Sequence, residues 1–107
     1  MPVEIDIDET SVTAYISGDI DHHSAATLRQ KIDEAVEMAY PQLLILDFGA
    51  VTFMDSSGIG LVMGRYKLMN DLKGKIAIEN APKAIGKVMR MAGIEKLIYT
   101  KGEGKAF

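Results

Sequence analysis

Leu43-Leu44-Ile45-Leu46-Asp47-Phe48, followed shortly by Phe53-Met54-Asp55-Ser56-Ser57-Gly58-Ile59-Gly60, is the stretch on which the fold turns. The first run is nearly continuous in apolar residues and reads as a buried strand flanked on both sides. After the second, Ile59, Val62, Met63, Tyr66, Met69 and Leu72 recur at helical spacing until Lys73-Gly74-Lys75 closes the pattern. Asp55, Ser56 and Ser57 therefore stand where a strand hands over to a helix. The first helical turn carries free N–H groups and a partial positive charge. A serine there caps a helix well and also suits a phosphate, and the residues alone leave both readings open. With Ser56 as the cap, the third helical position is Ile59, so no capping box forms and the N–H groups of Gly58 and Ile59 stay available.

Working outward, Val3-Glu4-Ile5-Asp6-Ile7 alternates apolar and acidic residues, the period of a strand with one wet face. Val12 to Ile16 is its hairpin partner across the turn Asp8-Glu9-Thr10, and Gly18 is expected to end that strand. Ser24 to Ala39 reads as a helix with Leu28, Ile32, Ala35, Val36 and Ala39 on one face and Arg29, Gln30, Asp33, Glu34 and Glu37 turned away from it. Asp21 or Ser24 caps its start and Pro41 stops it. Ile76-Ala77-Ile78 is a short strand. Pro82 opens a third helix striped by Ile85, Val88, Met89 and Ala92 and ended by Gly93. Leu97-Ile98-Tyr99 is the last strand, and the tail from residue 101 to 107 has no periodicity and is expected to be loose. The order β-β-α-β-α-β-α-β predicts an α/β domain spanning 1–107. Its sheet is small, mixed and largely parallel, with helices packed mainly on one face.

The chain has 107 residues and no cysteine, which removes thiol nucleophiles, disulfides and cysteine-based zinc sites. No signal peptide and no membrane-length apolar run is visible, so the expected location is cytoplasmic. A net charge of −3 argues against a general nucleic-acid footprint. Acidic residues crowd the first half and lysines the second. Most of this is ordinary solvated surface, but an acidic patch near Asp19 and Asp21 is also suited to a basic partner.

Competing chemistry at the strand-to-helix turn is poorly supplied. A nucleophile elbow needs glycine where Met54 stands, and only His22 and His23 are available as a base. The same two histidines lack a third metal ligand at sensible spacing. Gly58-Ile59-Gly60 lacks the third glycine of a dinucleotide fingerprint, since position 63 is Met. Of the seven methionines most occupy helix stripes; Met54 is the exception, placed in the turn and expected to be exposed for a partner.

Gly18-Asp19-Ile20-Asp21-His22-His23-Ser24-Ala25, paired with Phe53-Met54-Asp55-Ser56-Ser57-Gly58-Ile59-Gly60, resembles the STAS domain of bacterial anti-sigma factor antagonists. Gly64-Arg65-Tyr66-Lys67 draws the likeness toward the sporulation branch that opposes the anti-sigma F factor. The resemblance covers essentially the whole chain and implies a phosphorylation switch rather than an enzyme, with no metal, cofactor or catalytic residue. It implies that a serine kinase, itself the anti-sigma factor, modifies the serine after the motif aspartate, here Ser56. The unmodified form binds that kinase and frees the sigma factor, and a PP2C-type phosphatase restores it. The implied contacts are Asp21, His22, Met54, Asp55, Ser56, Ser57 and Gly58, on a monomer. Alternatives are a stress-response antagonist with the same switch acting on another sigma factor, or a small serine enzyme or nucleotide-binding protein using the same turn. The chain past Tyr99 is short for this family, which implies a shorter or missing terminal helix.

Overall fold

The structure, a computed structural model, describes residues 3–94 and the strand backbone at 99–100. The strands are β1 (Val3–Ile7), β2 (Ser11–Ile20), β3 (Leu43–Met54), β4 (Lys75–Glu79) and β5 (Tyr99–Thr100). The helices are α1 (His22–Ala39), α2 (Ser56–Asp71) and α3 (Lys83–Met91). Leu97 and Ile98 of the expected last strand, the tail from residue 101 and any terminal helix lie outside the described residues.

The five strands stand in sequence order across one sheet, β1 antiparallel to β2 and the rest parallel. Each parallel strand is added on the same side of the previous one. Right-handed crossovers then carry every connecting helix over the same face. The burial agrees. Val12, Ala14, Leu44, Leu46, Phe48, Ile76 and Ile78 join Leu28 and Ile32 of α1, Val62 and Met69 of α2, and Ile85 and Met89 of α3 in one core. Ile45 and Ala77 are buried too, but point to the helix-free face and stand outside that cluster.

Two strands run further than their apolar patterns suggest. β2 continues through Gly18 to Ile20, because Gly18 takes φ +80° inside an irregular stretch that a β-branched residue would not tolerate. β3 continues from Phe48 to Met54. Its register against β2 slips twice, with Tyr15↔Asp47 giving way to Ser17↔Ala50, and Gly18↔Val51 to Asp19↔Phe53. Each slip places one extra residue on β3, a bulge that flips side-chain parity. Two flips cancel. Val51 between them points inward out of phase, and Met54 regains the inward parity of Leu44, Leu46 and Phe48.

Met54 is consequently 5% exposed, not the exposed turn residue that a strand ending at Phe48 implies. It packs beneath the first turn of α2 so closely that a Cβ at Gly58 would come within 2.4 Å of its Cγ and 2.5 Å of its Sδ. Glycine at 58 is required by this approach, whereas Gly60 and Gly64 on the same helix have open space where a Cβ would stand. Gly58→Ala is therefore expected to destabilise the fold by about 1–3 kcal/mol through overpacking. Gly60→Ala and Gly64→Ala should each stabilise it by about 0.5–1 kcal/mol through helix propensity. Urea unfolding of the three variants checks the contrast; equal effects would contradict it.

Candidate functional site

Ile20, the last residue of β2, lies in register with Met54, the last residue of β3. Parallel strands that end level release their chains at the same edge. The next residues, Asp21 and Asp55, each begin a helix. The Asp55 N–H donates to the Ile20 carbonyl at 3.2 Å, which stitches the two handovers together. The result is two parallel helix N-termini side by side, each with an aspartate at its cap.

At α1 the capping is reciprocal. The Ser24 N–H donates to Asp21 Oδ1 at 2.9 Å, and the Asp21 N–H donates to Ser24 Oγ at 2.9 Å. The Ser24 hydroxyl donates to the Asp19 carbonyl at 2.9 Å, and Thr52 Oγ1 donates to Asp19 Oδ1 at 2.6 Å. This box starts the helix at His22, so His22 and His23 are its first two residues rather than loop residues. Both are exposed, with rings 6.1 Å apart. No group of three or more metal-type ligands occurs among the described residues.

At α2 the cap is Asp55, not Ser56. The Ser57 N–H donates to Asp55 Oδ1 at 2.8 Å and the Gly58 N–H to the Asp55 carbonyl at 3.0 Å. The Gly58 donor is thus already used. Ser56 becomes the first helical residue and is exposed, while Ser57 is half-buried and Gly58 buried. Relieved of capping, the Ser56 hydroxyl is left at the surface with no internal partner among the described hydrogen bonds. Neither serine hydroxyl donates to a histidine among the described hydrogen bonds.

The structure brings Asp21, His22, Asp55, Ser56, Ser57 and Gly58 to this one edge, with Met54 below it. It also shows two groups that the sequence pattern hid. Phe53, 54% exposed, faces outward where Met54 faces in. Arg65, in the middle of α2, is only 7% exposed and its Nε lies 2.8 Å from Asp33 Oδ1 of α1. Burial outweighs pairing here: it raises the Asp33 pKa against the pull of Arg65 and Arg29, and lowers that of Arg65 against the pull of Asp33. A guanidinium in the middle of an apolar stripe, with a carboxylate on the facing helix, was the available signal.

The STAS domain profile matches residues 3–105. The chain belongs to the STAS family. A relative in Paenibacillus polymyxa, an anti-sigma F factor antagonist, is 34% identical over 78% of this chain and 71% of its own. The solved structure of the anti-sigma factor antagonist SpoIIAA in its unphosphorylated form has a TM-score of 0.81 at 27% identity, covering 94% of this chain and 89% of that one. The phosphorylated form of SpoIIAA, described as a Bacillus cell fate determinant, gives 0.74 at 27% identity over 94% and 92%. This STAS domain is of the anti-sigma factor antagonist type. No described helix is long and apolar enough to cross a membrane.

Two predictions follow the geometry of the caps. Asp55→Ala should cost about 0.5–2 kcal/mol, the worth of an N-cap, whereas Ser56→Ala should change stability by less than about 0.5 kcal/mol. A larger loss at Ser56 in thermal or urea unfolding would return the cap to the serine. The Asp21 carboxyl is held below the ordinary carboxylate range, chiefly by the Ser24 N–H, with the Ser24 hydroxyl, the His23 N–H and the His23 charge adding to it. A depressed folded pKa contributes stability above the unfolded value, near pH 4, and that contribution fades as pH falls through the folded value. The stability gap between wild type and Asp21→Asn, which keeps a capping oxygen without titrating, should therefore narrow below about pH 4. A gap that stays constant into acid would show that the charge is not used.

Proposed function

We propose that this STAS domain is a phosphorylation-switched anti-sigma factor antagonist of the sporulation type, with Ser56 as the modified residue. The observation that carries the reading is the division of labour at the α2 start. Asp55 caps the helix, and Ser56 stands exposed beside it with its hydroxyl uncommitted. The unmodified protein binds an anti-sigma factor that is also a serine kinase, and so releases the sigma factor. A relative's structure in a phosphorylated form supports the switch.

Asp21, His22, Asp55, Ser56 and Ser57 present the contact edge. Met54 and Gly58 act from below by fixing the height of the α2 turn, and outward-facing Phe53 adds an aromatic anchor of the kind that dominates binding energy. A phosphate on Ser56 places about two further negative charges beside Asp55 and close to Asp21. The helix dipole tolerates them locally, but the partner meets a desolvated anionic cluster instead of a small hydroxyl. The reading also takes the protein as a cytoplasmic monomer without cofactor, a substrate of the kinase rather than an enzyme, and reset by a PP2C-type phosphatase.

Incubation with ATP and a purified anti-sigma serine kinase, followed by peptide mass spectrometry, should place phosphate on Ser56; phosphate mainly on half-buried Ser57 would sink the assignment. In calorimetry with the same kinase, Ser56→Ala should bind like wild type and Ser56→Asp about tenfold or more weakly, which is about 1.4 kcal/mol. Equal affinities would reduce Ser56 to a surface residue.

A further inference from the structure

A groove of about 340 Å³ runs between α1 and α2 behind the Ser56 edge. His22 and Ser57, in the first turns of the two helices, line one end of it, and Ala25, Gly60 and Gly64 supply small surfaces along it. The charged residues lining it are Arg29 and Arg65, and no acidic residue does so. A cationic groove on a chain of net charge −3 runs against the overall sign of the protein.

Arg65 is the unusual member. Its guanidinium carries five N–H donors, and burying one requires that they be used. Nε faces Asp33 and Nη1 donates to the Leu61 carbonyl at 3.4 Å. Nη2 has no partner among the described residues and is not sealed from solvent, so it is the donor left open on the groove side. Only Arg65 pairs with Asp33. The Arg29 charge lies near enough to lower the pKa of both Arg65 and Asp33, and its own guanidinium has no ion-pair partner among the described residues. The glycines give an independent sign. Each costs about 1 kcal/mol of helix stability relative to alanine, yet a Cβ at Gly60 or Gly64 would have no heavy atom within 4 Å. Internal packing supplies no reason for either glycine, whereas close approach of another chain does.

We propose that the α1–α2 groove is a second docking site that takes a glutamate or aspartate side chain from a protein partner, paired by Arg29 and Arg65, with the partner backbone seated against Gly60 and Gly64. A planar guanidinium pair matches a carboxylate by charge and shape, and the open glycine surface admits the chain that bears it. The site deepens the antagonist reading and rests on it for the identity of the partner: the anti-sigma kinase would be held at the groove as well as at Ser56.

The full-length protein labelled with nitrogen-15 tests the groove directly, with the capped tripeptide Ala-Glu-Ala as probe and capped Ala-Gln-Ala as control. The glutamate peptide should give saturable shifts at the Gly60 and Gly64 amides and the Arg29 and Arg65 Nε–H signals, weakening as salt is raised. Gly64→Leu, which fills open space, should abolish them, and Arg29→Gln, at an exposed position, should weaken binding about fivefold or more. No saturation, equal shifts with the glutamine peptide, or tighter binding of inorganic phosphate at the same signals would overturn the proposal. Against the anti-sigma kinase, Gly64→Leu should weaken binding about tenfold while leaving Ser56 phosphorylatable. Wild-type affinity of Gly64→Leu alongside loss of binding in Ser56→Asp would refute the groove and leave the switch standing. A kinase indifferent to Ser56→Asp would refute the switch, and the peptide titration still decides the groove.

Discussion

The level ending of β2 and β3, fixed by the Ile20↔Met54 pair and the Asp55 to Ile20 hydrogen bond, is the constraint on which the rest of the site depends. Two parallel strands that stop at the same height start two parallel helices at the same height. Their positive ends then lie together, and each needs an acceptor. Asp21 and Asp55 supply them. The same residues that complete the helices therefore set the charge of the surface, and a group added between them acts on a potential that the fold has already prepared.

The support beneath is as specific as the surface. Two bulges in β3 return Met54 to the core side, where it carries the buried Gly58 turn. The contact sets how far Ser56 rises above the sheet edge. A looser packing residue would leave the hydroxyl on a mobile turn, and a larger residue at 58 would push α2 away from the sheet. Further along α2 the Arg65–Asp33 pair ties the helix to α1, so the spacing of the two N-termini is fixed at their starts and again along their length.

Much of this was legible in the sequence because its signals are local. The apolar run Leu43 to Phe48, the stripes of the three helices and the small polar residues before α2 were enough for the element order and the one-sided sheet. Turn chemistry gave Asp21 as a cap of α1 and placed Ser56 at the strand-to-helix handover, while the singling-out of Ser56 as a modified residue came from the resemblance of the flanking motifs. What escaped is non-local. A bulge is a property of two strands, so the inward parity of Met54 and the outward turn of Phe53 were hidden until β3 was paired with β2. Gly18 looked like a terminator because its positive φ inside a strand needs the same irregular register. Asp55 and Ser56 both cap helices well, and only the hydrogen bond to Ser57 separates them. Asp33 looked like a charge turned away from the core and Arg65 entered only as part of a motif, since nothing in either segment alone announces its partner.

The central claim is that Ser56 alters the surface of a fold it does not hold together. Comparison of amide chemical shifts between the unmodified and Ser56-phosphorylated protein tests this most directly. The account predicts changes confined to Asp21, His22 and residues 55–60, with the core strands and the length of α1 unmoved. Shift changes spread along α1 from Leu28 to Ala39 would mean that the phosphate rearranges the fold, and would contradict it.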